Sequence, residues 1–469
     1  MKSLSELELQ VLSRIKPRRE EYELVKEACG KVISVVESVA REKGVEVEVT
    51  IQGSIAHDTW LSGDRDVDIF VLFPGDWSKE DLVKKGFEVL LEAASRIGHY
   101  ELRYAEHPYV RVEVSGVEVD LVPGLKLREP TAAKTAVDRT PFHTLYLSKV
   151  LTDELRDHVR LLKKFMKTIG VYGAEVKTHG FSGYAAELLV VVYGGFREVL
   201  EAASRWKPPV LVNTLGDKLS ESLVKALKSK YPDSCIYMPD PVDPLRNVTA
   251  SVSLKSLATL VVASKCYLKA PNMAFFEEPK EPSVEELLRA LAGRCIVVLE
   301  YELREKLPPD VVWGEIQRVA SRLVKVLEVL GIRVLDYSSW TNEKDLGVIA
   351  VELEQCSLWR YKHYRGPCIV HEDDRIASFI RKHAGRGLGP WITRDGCLEA
   401  LDVREETDVT RLIESRWVEY TVAPHLKLTK PTVEVAGEDL VLRLLSKGAG
   451  KWLREFVFKA STWMEKCTI

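Results

Sequence analysis

The chain has 469 residues, of which 46% are apolar and 29% charged. That length exceeds one ordinary core and predicts two to four domains, while the composition excludes a disordered chain. The net charge of −3 excludes a globally basic nucleic-acid binder, so any such surface must be a local patch.

Ser, Glu and Gln interrupt residues 4–15, which removes a secretory pattern. The longest apolar runs, such as 188–193, fall far short of a bilayer span. A soluble, cytoplasmic protein without membrane contact is expected. The eight cysteines lack C-x-x-C and zinc-ligand spacing. Most are expected to be buried small apolar residues, with an occasional disulfide left open. Only four Asn and four Gln stand among plentiful Glu, Lys and Arg, a bias that fits a thermophilic source.

Residues 18–43 read as a helix, with Pro17 near its first turn and Gly44 past its end. A strand over 45–51 leads into Gly53-Ser54, read as a turn, and a second strand covers 66–73. Ser78 and Asp81 resemble a capping box opening a helix to about Ile97. Residues 100–122 alternate, with a Ser115-Gly116 turn between strands 109–114 and 117–122. A helix against such a mostly antiparallel sheet is an α+β layout.

Over 152–169, Leu155, Val159, Leu162, Phe165, Met166 and Ile169 share one side of a helical wheel. Arg156, Arg160, Lys163, Lys164 and Lys167 share the other, either as a solvated face or as a phosphate-binding one. Further helices over 181–206 and 253–268 make the region 147–262 largely helical. A charged stretch with Pro279 and Pro282 marks a boundary. Beyond it, strand 295–303, helix 312–331 and strands 332–338 and 347–355 predict a split α+β module, followed by short strands and helices. The fold class expected is α+β and multidomain.

Asp66 and Asp68 stand at i and i+2 of a strand whose Val67, Ile69 and Val71 turn to the core. They leave one face about 6.5 Å apart along it. Two such carboxylates beside a small-residue turn suit Mg²⁺ and a nucleoside triphosphate; the plainer alternative is a wet edge strand. Asp120 ends the alternating run Val117-Glu118-Val119-Asp120, in a strand able to lie beside the first. A third acid there would complete a two-metal site, one ion gripping the triphosphate and the other activating a hydroxyl. Gly53 and Ser54 would offer close backbone approach and a hydroxyl to phosphate oxygens. Trp359-Arg360-Tyr361-Lys362-His363-Tyr364-Arg365 interleaves aromatics with cations. It reads equally as an RNA-contacting segment or as an edge strand with protective charges. His371-Glu372-Asp373-Asp374 precedes a helix, whose N-terminus explains the acids without a metal.

The run Gly53-Ser54 to Asp66-Val67-Asp68-Ile69-Phe70 has the form of the polymerase-β-type nucleotidyltransferases and resembles, more narrowly, the signature of the archaeal class I CCA-adding enzymes. The resemblance continues through Arg103-Tyr104-Ala105-Glu106-His107-Pro108, Gly116-Val117-Glu118-Val119-Asp120 and Ala136-Val137-Asp138-Arg139-Thr140-Pro141-Phe142-His143. It extends over Gly170-Val171-Tyr172-Gly173 and Asp240-Pro241-Val242-Asp243-Pro244-Leu245-Arg246-Asn247, covering about residues 50–250.

The resemblance implies a nucleotidyltransferase palm over 1–146, a helical central domain over 147–262 and tRNA-binding modules over 263–469. It implies metal binding by Asp66, Asp68 and Asp120, and a triphosphate contact from Ser54. Thr140, His143, Lys163 and Tyr172 would surround the nucleotide, and Arg246 would read the base. Many members carry Arg where this chain has His57, whose phosphate contact should be weaker and pH-dependent. Arg156, Arg160, Lys164 and Lys167, with Arg360, Lys362 and Arg365, become candidates for RNA contact. The implied activity is template-independent rebuilding of the tRNA 3′-terminal CCA from CTP and ATP. The implied partner is the acceptor stem and T-arm of tRNA; a homodimer is left open. The rival readings are a poly(A)-polymerase-like enzyme on the same palm and a silent RNA-binding scaffold.

Overall fold

The computed structural model describes residues 3–104, 108–133, 136–370, 373–459 and 461–467. Ala105, Glu106 and His107 of one motif block, and His371 and Glu372 of the acidic cluster, lie outside the described residues. The chain forms two compact units, one of Met1–Pro279 with Ala460–Ile469 and one of Lys280–Lys459.

The first unit contains two separate apolar cores. Around one of them lies a five-stranded sheet of β1 (Glu48–Gln52), β2 (Asp66–Phe73), β3 (Tyr100–Tyr104), β4 (Pro108–Val114) and β5 (Val117–Leu125), in the order β1-β2-β5-β4-β3. Only β2 and β5 pair in parallel; every other neighbour is antiparallel. Val67, Ile69, Val71 and Phe73 alternate into the core, so Asp66 and Asp68 must leave by the other face.

Helix α1 (Glu6–Ile15) precedes α2 (Arg19–Glu42), which buries Val25, Ala28, Val32, Val36 and Val39 at helical spacing in the palm core. Gly53-Ser54 is not an open turn: it begins a single helical turn, α3 (Gly53–His57). The expected capping box forms, with Ser78 Oγ accepting from Asp81 N–H at 3.0 Å. It starts α4 (Lys79–Asp81), which continues through a π turn into α5 (Phe87–Ile97).

The second core is built on α6 (Ala136–Val150), α7 (Asp153–Thr168), α8 (Gly183–Tyr193), α9 (Phe196–Ala203) and, after the short β6 (Val210–Leu211), α10 (Glu221–Lys230) and β7 (Ile236–Tyr237), on α11 (Leu254–Lys269). Thr152, Ser182 and Ser253 cap α7, α8 and α11 with their hydroxyls. This core reaches beyond the expected limit of 262, since Phe275 stacks on Phe165 and Phe276 packs edge-on against the same ring. It also takes in Val11, Leu12 and Ile15 of α1, and Trp463 near the far end of the chain. Buried Glu8 fixes α1 there by accepting from Arg197 Nε at 2.8 Å and Tyr267 Oη–H at 3.0 Å.

In the second unit, α12 (Val284–Leu291) leads to a sheet of β8 (Cys295–Glu302), β9 (Val334–Thr341), β10 (Leu346–Leu353) and a late strand at Thr432–Val435, packed on α13 (Pro309–Val329). A separate three-stranded sheet has β11 (Tyr361–Cys368) at one edge, β12 (Gly387–Ile392) at the other and β13 (Cys397–Val403) between them, beside α14 (Asp373–His383). Among the described residues, no helix is long and apolar enough to cross a membrane.

The cysteine expectation needs correction. Disulfides join Cys266 to Cys467, Cys295 to Cys356 and Cys368 to Cys397, leaving Cys29 and Cys235 free. Spacing along the chain could not reveal pairs brought together by folding across 201, 61 and 29 residues. Intracellular proteins of hyperthermophiles carry such bridges. Closing a 61-residue loop restricts the unfolded chain, so Cys356→Ser should destabilise the second unit by about 2–4 kcal/mol. A lower denaturant midpoint, absent when both proteins are measured in strong reductant, is the expected result. Equal midpoints without reductant would mean that the bridge does not form in solution.

Candidate active site

The parallel register sets Asp68 directly across from Asp120 and Asp66 across from Glu118. On the other side of β5, Arg111 of β4 is the cross-strand partner of Asp120. Its guanidinium grips Asp120 as a fork, Nε to Oδ1 at 2.6 Å and Nη2 to Oδ2 at 2.7 Å, while Nη1 reaches Glu118 at 2.6 Å. One guanidinium thus faces four carboxylates. Burial pushes the Asp68 carboxyl up to about 6, with Asp120 and Asp66 adding to the rise. Asp66 is raised as well, again chiefly by burial.

Gly53 closes over this cluster. Its φ is +68°, and a Cβ there would lie 2.5 Å from Asp68 Oδ2, so only glycine fits. Among the described residues, no three His, Cys, Asp or Glu side chains already converge on one metal position; in the acid cluster Arg111 holds both oxygens of Asp120. The donors of Asp66, Asp68 and Asp120 are hard carboxylate oxygens short of positive charge, and they fit a divalent cation such as Mg²⁺.

Beside α3 lies a second group of charges, centred on Glu187 of α8. Glu187 is 2% exposed. Its Oε1 accepts from Lys163 Nζ at 3.1 Å and from Thr59 Oγ1, and its Oε2 lies 3.1 Å from His57 Nδ1. Burial pushes this carboxyl up, but Lys163, His57 and Thr59 outweigh it and hold it at about 2. Lys163 remains charged despite burial, because Glu187 and Tyr172 hold its ammonium above the ordinary range. A Cβ on Gly183 would meet Tyr172 Oη at 3.0 Å and Lys163 Nζ at 3.8 Å, so glycine lets these two groups stand together.

The phosphate contact expected of His57 is not available in this arrangement. The ring is buried, and its Nε2 lies 3.0 Å from Thr144 Oγ1, whose own hydroxyl donates to Gln52. Both nitrogens are therefore occupied by protein groups. The short imidazole finds both of its partners inside the fold.

His143 and Arg246 meet at a third centre. Asp240 Oδ2 lies 2.8 Å from His143 Nε2 and accepts from Arg246 Nη1 at 2.8 Å. Thr140 sits one turn before His143 and Thr144 on α6.

The basic stripe of α7 is two layers, not one. Arg160 is 1% exposed and spends its guanidinium on Trp60 O, Asp58 O, the Asp58 and Asp157 carboxylates and Tyr22 Oη. It is withdrawn from RNA contact. Arg156 pairs with Asp153, and Lys167 pairs with Asp64 with its ammonium over the Tyr172 ring. Lys164 and Lys167 line, with Arg14 and Phe276, a cavity of about 480 Å³. In the second unit, Arg360 is exposed just ahead of the edge strand β11 and Arg365 is exposed on it, paired with Asp395; Trp359 packs edge-on against Tyr361, and the Lys362 ammonium lies over Tyr364.

Arg111, Glu187 and Asp240 were not singled out by sequence patterning. Glu187 had a usable signal, as a lone charge inside the apolar stretch 185–192 that had to be paired if buried. Arg111 alternates like any strand cation and carried none.

The raised Asp68 carboxyl has a consequence for stability. Its ionisation is disfavoured in the fold, so the stabilisation it gives is full below its unfolded value near pH 4 and is lost as pH rises through about 6. In chelator, Asp68→Asn should therefore be more stable than the parent at pH 8, on the order of 2 kcal/mol. The advantage should fade towards pH 4; thermal unfolding across this range checks it, and a pH-independent difference would contradict it.

Family models for a nucleotidyltransferase domain, the second domain of tRNA nucleotidyltransferase and the C-terminal domain of CCA-adding enzyme match residues 32–143, 157–277 and 292–428. The CCA-adding enzyme of Saccharolobus shibatae is 40% identical over 427 residues, 88% of this chain and 96% of that protein. That of Sulfurisphaera tokodaii is 40% identical over 401 residues, 86% and 89% of the two chains. Among solved structures, a cytoplasmic RNA terminal U-transferase aligns with a TM-score of 0.45 and 16% identity, over 58% of this chain and 97% of that one. With three matching models in order and 40% identity to relatives along most of their length, the chain belongs to the CCA-adding enzyme family.

Proposed function

We propose that this chain rebuilds the 3′-terminal CCA of tRNA from CTP and ATP without a nucleic-acid template, releasing pyrophosphate at each step. The observation that carries the site assignment is the register of Asp68 against Asp120 on parallel strands, with Asp66 on the same face. In the reaction, the 3′-hydroxyl oxygen bonds to the α-phosphorus while the bond to pyrophosphate breaks. Two Mg²⁺ ions bound by Asp66, Asp68 and Asp120 would supply charge to the leaving group and lower the pKa of the attacking hydroxyl.

The remaining work belongs to fixed side chains. Gly53 and Ser54 let the backbone and a hydroxyl approach the triphosphate. Lys163, buried and held by Glu187 and Thr59, contributes positive charge from within the fold rather than through a direct contact, and Tyr172 a hydroxyl beside it. Arg246 presents a planar fork to the base, with Thr140 and His143 on the neighbouring helix. His57 serves the frame that holds Lys163. Arg156, Lys164 and Lys167, and in the second unit Arg360, Lys362 and Arg365, meet the tRNA backbone; shape and phosphate contacts suit A-form RNA. Such a substrate implies a cytoplasmic site of action.

Given tRNAs shortened stepwise at the 3′ end, CTP, ATP and Mg²⁺, the protein should restore CCA and stop. Long A tracts would favour the poly(A)-polymerase-like reading instead. Asp68→Ala should lower the rate by roughly 10³-fold or more while tRNA binding persists; unchanged incorporation would remove the acids from the mechanism. Replacing Arg360 and Lys362 together by Ala should raise the KM for tRNA several-fold with kcat retained. A loss confined to kcat would contradict RNA contact by that segment.

A further inference from the structure

We infer that Asp240 is a positioning residue that fixes the direction of the Arg246 fork and thereby sets which bases the enzyme accepts. The inference rests on the functional reading above, in which Arg246 meets the incoming base.

Asp240 is 0% exposed, and both its oxygens are fully engaged. Oδ2 takes Arg246 Nη1 and His143 Nε2, each at 2.8 Å. Oδ1 accepts from Tyr184 Oη and from the Val242 N–H, each at 3.0 Å. A carboxylate held by four partners has no second orientation in which to satisfy them all. Burial pushes its carboxyl up, but the bonds from His143 and Val242 and the charge of Arg246 hold it at about 2, so it stays ionised.

The backbone of Arg246 is tied into the same turn. Its carbonyl accepts from the Asp240 N–H at 3.0 Å, and its own N–H donates to Asp243 O at 2.8 Å. Asn247 then locks the turn, accepting from Met238 N–H at 2.9 Å and donating to Ile236 O at 3.0 Å. His143 and Tyr184, stacked with ring centroids 4.2 Å apart, form a stiff wall behind the carboxylate. With Nη1 anchored, the planar guanidinium keeps its remaining N–H groups in one direction, and the side chain is 31% exposed.

That fixed direction matters because of what bases offer on their pairing edges. Cytosine and adenine each present an acceptor ring nitrogen there, whereas uracil and guanine each present an N–H donor. A guanidinium carries only donors. Held still and aimed at that ring nitrogen, it accepts C and A and meets U and G donor to donor. Released, it could swing towards the carbonyl oxygens of U and G and lose the distinction. The pair of bases selected thus follows from one immobile donor edge.

The test compares Asp240→Asn with Tyr184→Phe. The first weakens the hold on Arg246; the second removes a bond from the other oxygen. CTP against UTP is measured on tRNA lacking CCA, and ATP against GTP on tRNA ending in CC. Asp240→Asn should lower both preferences at least tenfold with the KM for tRNA unchanged, and Tyr184→Phe should keep them within about threefold. Unchanged preferences in a folded Asp240→Asn protein, or equal losses in both variants, would overturn the inference. Should Asp240→Asn not fold, ¹⁵N spectra of arginine side chains in the nucleotide-free parent decide, with Arg246→Lys assigning the signal. Hindered guanidinium rotation supports the anchor, and free rotation overturns it. A parent protein that adds neither C nor A to either tRNA would instead overturn the functional reading.

Discussion

Asp68 and Asp120 face each other across the one parallel pair of strands in their sheet, with a single guanidinium beside them. Much of the palm serves that juxtaposition. The alternating apolar face of β2 sends both of its acids outward, and the glycine at position 53 avoids a Cβ that would strike Asp68. The cost is visible in the raised Asp68 carboxyl: charge is concentrated where the fold alone would not want it, as expected of a site built to receive cations and phosphates.

Around this unfavourable cluster the protein sets two favourable ones. Glu187 and Asp240 are buried carboxylates held near the bottom of the acid range by the cations they bind. Each gathers side chains from separate helices: Glu187 joins α3, α7 and α8, while Asp240 joins α6 and α8 to the turn carrying Arg246. Buried ion pairs add little net stability over apolar packing, but breaking one costs several kcal/mol. Their use here is geometric. They keep Lys163 and Arg246 at defined positions without the side chains having to be ordered by substrate.

Much of this was legible in the sequence because it follows local periodicity. Period two matches β2 and β4 to within a residue and the start of β5, which runs three residues past the expected end to Leu125, and the Ser78 box and Gly44 mark helix ends. What local pattern could not carry was depth. The α7 wheel separates apolar from basic residues correctly, yet Arg160 and Lys163 lie inside, because acids from distant segments come to meet them. The same holds for His57, which reads as a surface phosphate ligand until Glu187 is brought 130 residues back to it. The disulfides and the inclusion of α1 in the central core are likewise products of long-range contact. Resemblance to a family supplied roles for single residues that no periodicity contains.

We propose the acids of β2 and β5 as the metal and nucleotide centre. Anomalous diffraction from crystals soaked with Mn²⁺ and a non-reacting CTP analogue addresses it directly. Manganese peaks bound by Asp66, Asp68 and Asp120, with the triphosphate beside Gly53 and Ser54, are expected. Manganese bound elsewhere, with the triphosphate away from these acids, would contradict it.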